Sequence, residues 1–197
     1  VHDLDADGIS SGVIAFHAIK AVTGKEPLVV TQPYKAIELL PKTIALLKRK
    51  KVNKIVVLDF ALDQKFEAIR NAEAVAERIL VIDHHKDYGF MASEKTSMIK
   101  PQFISEIEPS RYPTSKLAFD LFSRHVNLEK FSWVACVGLM GDNQFTQWKD
   151  FVSSSACAGG WSANNSPSSK SKWRRRPWKR TRARCESCWR SGRKRTA

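Results

Sequence analysis

The sequence predicts an α/β fold, a parallel sheet covered by helices on both faces. Two runs carry that prediction. Lys54-Ile-Val-Val-Leu-Asp59 and Ile79-Leu-Val-Ile82 are continuously apolar rather than alternating, as strands buried on both faces are. Helix-period segments separate such runs, which implies parallel neighbours joined by crossovers. A third observation concerns the ends of the runs. One stops on Asp59, the other on Asp83-His84-His85, and polar sites in such sheets gather beyond the carboxyl ends of strands.

The elements follow in order. Gly8 to Thr23 reads as a helix with Ile9, Val13, Phe16 and Ile19–Ala21 at three-to-four spacing, stopped by Gly24. Leu28–Val30 reads as a short strand. Lys35 to Lys50 reads as helical, with Pro41 as a break or a new first turn. After the strand 54–59, Asp63 to Arg78 is amphipathic through Phe66, Ile69, Ala72 and Ala76, and Asp63 is the expected N-cap. Residues 86–96 read as loop and Ser97–Lys100 as a further strand. Thr114 or Ser115 is expected to cap a helix through Arg124, and Glu129 to Gly141 is a last, very apolar helix. This is a Rossmann-like layout.

The chain has 197 residues, 43 % of them hydrophobic, enough for one ordinary core. No apolar run reaches the roughly 20 residues that span a bilayer. The chain opens on Val1-His2-Asp3, with no initiator Met and no basic leader, which predicts a cytoplasmic protein whose sequence here begins inside a longer one. The net charge is +13. Residues 1–150 hold 20 Lys and Arg against 19 Asp and Glu, whereas residues 151–197 hold 13 against 1. The positive charge therefore belongs to the tail and says nothing about a binding face on the body.

Residues 151–197 lack Leu, Ile, Met, Tyr and Asp but contain four of the six Trp and three of the four Cys. Without aliphatic residues no packed core forms, so the expectation is a body over 1–150 and a basic, disordered tail. Three readings of the tail stand: an out-of-frame translation, which the composition fits best; an Arg/Trp arm for nucleic acid; and half a zinc site at Cys185 and Cys188, with no second Cys or His pair nearby in the tail.

The acids carry the chemistry. His2-Asp3-Leu-Asp5-Ala-Asp7-Gly8 precedes the first helix, Asp59 and Asp83-His84-His85 end strands, and Gly141-Asp142 ends an apolar helix. Taken singly, an Asp before a helix is an N-cap and one after a strand a turn residue. His17 alone is a packed or surface side chain. The conjunction of four acidic clusters in one chain points elsewhere. Converging carboxylates repel unless a cation sits among them. Asp with His is a ligand set for Mn²⁺ or Mg²⁺, with Zn²⁺ less suited because no thiolate joins in. Two such ions about 3.5–4 Å apart form a phosphoryl-cleaving arrangement.

In this order and spacing the residues resemble the DHH phosphoesterase superfamily, in its RecJ-like branch. Asp3-Leu-Asp5-Ala-Asp7-Gly8 resembles the first motif, Leu58-Asp59 the second, Asp83-His84-His85 the third and Gly141-Asp142 the fourth. Tyr112-Pro-Thr-Ser-Lys-Leu-Ala resembles the segment leading into a later helix. The resemblance covers residues 1–150. It implies Asp5, Asp7, Asp59, His84 and Asp142 as ligands of two divalent cations, with Asp59 bridging. It implies His85 on the scissile phosphate and Asp83 as an acid that orients a histidine from behind, with His2 and Asp3 as additional candidates. The implied reaction is hydrolysis of phosphodiesters in single-stranded DNA, RNA or oligonucleotides. Small nucleotides are the second reading. Family members carry a strand before the first motif and a second, glycine-rich domain. This chain starts after that strand and departs from the family after Asp142, so a fragment that binds metal or nucleic acid without turnover is the third.

Overall fold

Lys54–Leu58 (β1) and Arg78–Ile82 (β2) pair in parallel, with Ile55 opposite Ile79 and Leu58 opposite Ile82. Thr96–Ile99 (β3) adds a parallel strand on the far edge of β2. This computed structural model describes residues 1–33, 37–89 and 93–158. Among them the helices are α1 (Ala6–Thr23), α2 (Pro41–Arg49), α3 (Phe66–Glu73), α4 (Pro101–Ile104), α5 (Thr114–Ser123), α6 (Ser132–Gly141) and α7 (Lys149–Ala158).

Successive strand residues face opposite sides, and both sides are covered. Ile55, Val57, Ile79 and Val81 pack with Leu47 of α2 and Ala68, Ile69 and Ala72 of α3. Val56, Leu58, Leu80 and Ile82 pack beneath Ile14, Ala15 and Ala18 of α1, Leu117 and Ala118 of α5, and Val134 and Ala135 of α6. Each aliphatic side chain fully buried this way contributes about 1.5–3 kcal/mol. The double coverage explains why the strands read as unbroken apolar runs.

Residues 1–3 run beside β1. Leu58 N donates to Val1 O, and His2 makes parallel bridges to Leu58 on one side and Thr31 on the other. The segment expected as a strand at Leu28–Val30 makes this limited pairing only: His2 N donates to Val30 O, and Gln32 N to His2 O. Too little backbone lies alongside it to build a ladder.

Several local expectations are corrected. The first helix begins at Ala6, and its inward face is Ser10, Ser11, Ile14, Ala15 and Ala18, while Ile9 and Val13 are exposed. Close approach selects small residues there: a Cβ on Gly12 would lie 2.7 Å from the His2 ring. The second helix starts at Pro41, the new first turn that the sequence allowed, and residues 37–40 before it are not helical; the expected start at Lys35 lies outside the described residues. The stretch 63–78 divides into a turn at Leu62–Gln64, α3, and the first residue of β2. Asp63 is not an N-cap; its carboxylate accepts from Lys100 and from Tyr88 N instead. Neither Thr114 nor Ser115 caps α5 with its own side chain; that role falls to Asp7, as shown below. The helix α7 runs over Lys149–Ala158, and its Val152 is buried against Cys136 and Leu139. The readings of the tail beyond Ala158, including Cys185 and Cys188, lie outside the described residues. No described helix is long and apolar enough to cross a membrane.

Candidate metal centre

β1 and β2 end side by side, so the residues that follow them are neighbours. Asp59 N donates to Ile82 O and Asp83 N to Ile99 O, which extends the sheet one residue past each strand. Asp59 then adopts φ +63°, a left-handed conformation that Asp tolerates better than most residues, and its backbone turns out of the sheet. Toward the same rim come the start of α1 and the end of α6. Asp5 caps α1 by accepting from Gly8 N at 2.8 Å, and Asp142 is the C-terminal cap of α6. Glycine is required at position 8, where a Cβ would lie 2.6 Å from Asp3 O.

Asp3, Asp5, Asp59, His84, His85 and Asp142 line one cavity of about 800 Å³. Their ligand atoms form overlapping trios in which every atom lies within 4.8 Å of the others: Asp3–Asp5–Asp59, Asp59–His84–His85 and, reaching one layer deeper, Asp7–His84–Asp142. His84 Nε2 stands 3.4 Å from Asp142 and 3.6 Å from Asp59. Asp59 and His84 each belong to two trios.

Asp7 sits behind the cavity, 1 % exposed. Its two carboxylate oxygens accept from Thr114 N at 2.6 Å and Ser115 N at 3.0 Å, the first amides of α5. An acid from one helix thus satisfies the orphan donors of another, where the helix dipole favours negative charge. Thr114 Oγ1 donates to Asp59 Oδ1 at 3.0 Å, which orients the central carboxylate. At Gly138 of α6 a Cβ would lie 2.6 Å from Asp7 Oδ1, so only glycine lets α6 approach this closely.

Asp83 is fully buried and holds His85: Nδ1 donates to Asp83 Oδ1 at 2.6 Å, which presents the opposite edge of the half-exposed ring to the cavity. Lys100 Nζ faces the other Asp83 oxygen at 3.0 Å.

The electrostatics are those of a crowded anionic site. Burial, reinforced by Asp7, Asp5 and Asp83, raises the Asp59 pKa well above the ordinary carboxylate value. Burial, then Asp7 and Asp5, raises Asp142 from 3.8 to about 7. Burial also raises Asp3 and Asp7 and lowers His84. Asp83 differs. Burial pushes its pKa up, but the His85 hydrogen bond and the charges of His85 and Lys100 outweigh it, and the pKa falls below 3.8. Among the described residues no Lys or Arg pairs with Asp3, Asp5, Asp7, Asp59 or Asp142. Uncompensated carboxylates with imidazole nitrogens at this spacing are a donor set that fits divalent cations.

Asp3, Asp5, Asp59, His84, His85 and Asp142 line the cavity, Asp7 meets His84 and Asp142 from behind its wall, Asp83 stands behind His85, and His2 lies outside the cluster. His2 Nδ1 donates to Asp3 O at 2.7 Å and Nε2 accepts from Thr31 Oγ1 at 3.0 Å, so the ring serves the sheet edge. Sequence reasoning missed Thr114, Asp63 and Lys100 as supports. Only Lys100 left a signal, a lysine directly after a strand and before Pro101.

The family model for the DHH family, N-terminal domain, matches residues 1–140. No curated protein sequence matches significantly. Among solved structures, an exonuclease RecJ crystallised with bound manganese superposes with TM-score 0.59 at 15 % identity, over 79 % of this chain and 42 % of that one. A DHH domain described as a member of the s1p family of ribosomal proteins superposes with TM-score 0.56 at 17 % identity, over 77 % of this chain and 42 % of that one. At these identities the structures share the fold, and this chain spans less than half of either. With four acidic clusters in order, meeting at one rim of a parallel sheet, and a family model matched over residues 1–140, the chain belongs to the DHH family.

Proposed function

We propose that this chain is a metal-dependent phosphoesterase that hydrolyses phosphodiester bonds in single-stranded nucleic acid or oligonucleotides. The observation that carries this reading is that Asp7, Asp59 and Asp142 meet at His84, and Asp3 and Asp5 meet at Asp59, with no lysine or arginine paired to these acids among the described residues. The overlap of the trios at Asp59 and His84 supports two cations, which Asp5, Asp7, Asp59, His84 and Asp142 would hold, with Asp59 common to two trios and Asp3 as a further candidate ligand. Manganese bound to the structurally similar RecJ supports Mn²⁺, with Mg²⁺ as the other choice. Bound there, such cations supply Lewis acidity and neutralise phosphate charge.

The chain's own residues do the rest. Asp83 holds the His85 ring with Nδ1–H turned inward, so Nε2 is the edge that meets a phosphoryl oxygen in the cavity. The Asp83 hydrogen bond, the leading cause, raises the His85 pKa above 6.5. The same hydrogen bond stabilises the form of the ring that carries an Nε2–H to donate. Thr114 and the α5 amides fix Asp59 and Asp7, so these carboxylates need little reorganisation.

Titration calorimetry with Mn²⁺, and hydrolysis of a single-stranded decanucleotide, test the proposal. Asp59→Ala and His84→Ala are expected to abolish both. A wild-type chain that binds no divalent cation overturns it. The cavity volume, within the range of small-molecule pockets, favours a second reading, a di- or mononucleotide substrate. Faster hydrolysis of a dinucleotide than of the decanucleotide selects it.

A further inference from the structure

The Lys100 side chain is fully buried at the end of β3, outside the cavity and apart from every residue assigned to the cations. A buried ammonium is costly unless its hydrogens are all engaged, and here they are. Nζ lies 3.1 and 3.0 Å from the two Asp63 oxygens, 3.0 Å from Asp83 Oδ2, 3.2 Å from His85 O and 2.8 Å from Lys86 O. Five oxygens from two loops surround three protons.

These contacts form a chain of alternating charge that ends in the cavity. Asp63, in the turn after β1, accepts from Tyr88 N at 3.0 Å and so ties down the segment that follows β2. Lys100 bridges Asp63 to Asp83 and grips the same segment by two carbonyls. Asp83 passes its remaining oxygen to His85 Nδ1. Gln102 Nε2 adds a donor to His85 O at 3.2 Å. A compact ammonium with three directions suits this cluster, where the planar fork of an arginine would not.

We propose that Lys100 is a positioning residue for His85: through Asp83 and the His85 and Lys86 carbonyls it fixes the imidazole so that Nε2 faces the phosphate site, and Asp63 anchors Lys100 in turn. The proposal rests on the phosphoesterase reading for its consequence in turnover, but its geometric core does not.

The test uses the full chain, metal-free, with ¹⁵N-labelled histidine. In wild type the His85 Nδ1 proton is expected as a low-field, slowly exchanging signal, identified by its loss in His85→Gln. Lys100→Met is expected to abolish that signal while leaving Mn²⁺ affinity unchanged, since Lys100 touches no assigned ligand. Because Lys100→Met leaves two buried acids without their cation, the charge-matched Asp63→Asn/Lys100→Met variant is measured beside it, with the same expectation. If a folded variant lacking Lys100 retains the wild-type signal, or loses Mn²⁺ binding along with it as a merely structural role would require, the proposal is overturned. In hydrolysis, Lys100→Met is expected to slow turnover roughly 10–100-fold, as removal of supporting hydrogen bonds around metal sites does. It is expected to cost nothing further in a His85→Ala background. Additive losses overturn the coupling to His85. Absence of hydrolysis by wild type counts against the phosphoesterase reading and leaves the imidazole measurement standing.

Discussion

On the face of the sheet covered by α2 and α3, the strand residues Ile55, Val57, Ile79 and Val81 pack with Leu47, Ala68, Ile69 and Ala72 in one apolar cluster. On the face covered by α1, α5 and α6, aliphatic packing is joined by small residues that let backbones approach: Gly8 against Asp3, Gly12 against the His2 ring, and Gly138 against Ser115 and the buried Asp7. Both faces exclude water. The first needs volume and hydrophobicity, which many side chains supply. The second needs close helix approach and specific donors, because it carries an acid that must end at the cavity. The lesson is that stability and site geometry are largely held by different sides of one sheet.

Mutations can break that comparison. Ile79→Ala, on the α2/α3 face, is expected to cost about 2–5 kcal/mol, measured by urea unfolding, with Mn²⁺ affinity unchanged. Weakened metal binding in this variant would show that the faces are not separable.

The pH dependence of the metal-free chain comes next. The Asp142 pKa is raised from 3.8 to about 7, so the folded state favours its protonated form. The resulting penalty is absent below pH 3.8, grows as pH rises toward 7 and is constant above. At 1.36 kcal/mol per unit it is at most on the order of 4 kcal/mol. Thermal unfolding from pH 4 to 8 is therefore expected to show stability lost with rising pH, less steeply in Asp142→Asn. Added Mn²⁺ should restore stability at the upper end, where the carboxylates are ionised.

Gly138→Ala places a methyl group against Asp7 and Ser115. Overpacking of this kind costs about 1–3 kcal/mol, and here the metal affinity is expected to fall as well, unlike in Ile79→Ala. The smallest effect on stability is expected for Thr114→Val, which keeps the volume and removes the hydrogen bond to Asp59, about 0.5–1.5 kcal/mol. A calorimetric titration should show weaker Mn²⁺ binding in this variant too; an unchanged affinity would make Thr114 a packing residue only.

The relation between sequence and structure divides along the same line. The runs 54–58 and 79–82 were legible because a doubly buried strand is apolar at every position. The acids that follow were legible because the sheet puts strand ends together. The α1 face was misread because periodicity finds large apolar residues, whereas close packing wants small ones: Ile9 and Val13 stay exposed while Ser11 and Gly12 turn inward. Asp63 looked like a helix cap since its partner Lys100 is 37 residues away.

By itself the sequence determined the parallel sheet, the order of the four acidic clusters and their family, because each rests on local periodicity or on residues adjacent in the chain. Only the tertiary structure decided which groups stand behind those acids. Asp7 finds the α5 amides across 107 and 108 residues and Thr114 reaches Asp59 across 55. A buried carboxylate takes its donors from whatever backbone and side chains the packed helices bring within about 3 Å, and no local pattern records that distance.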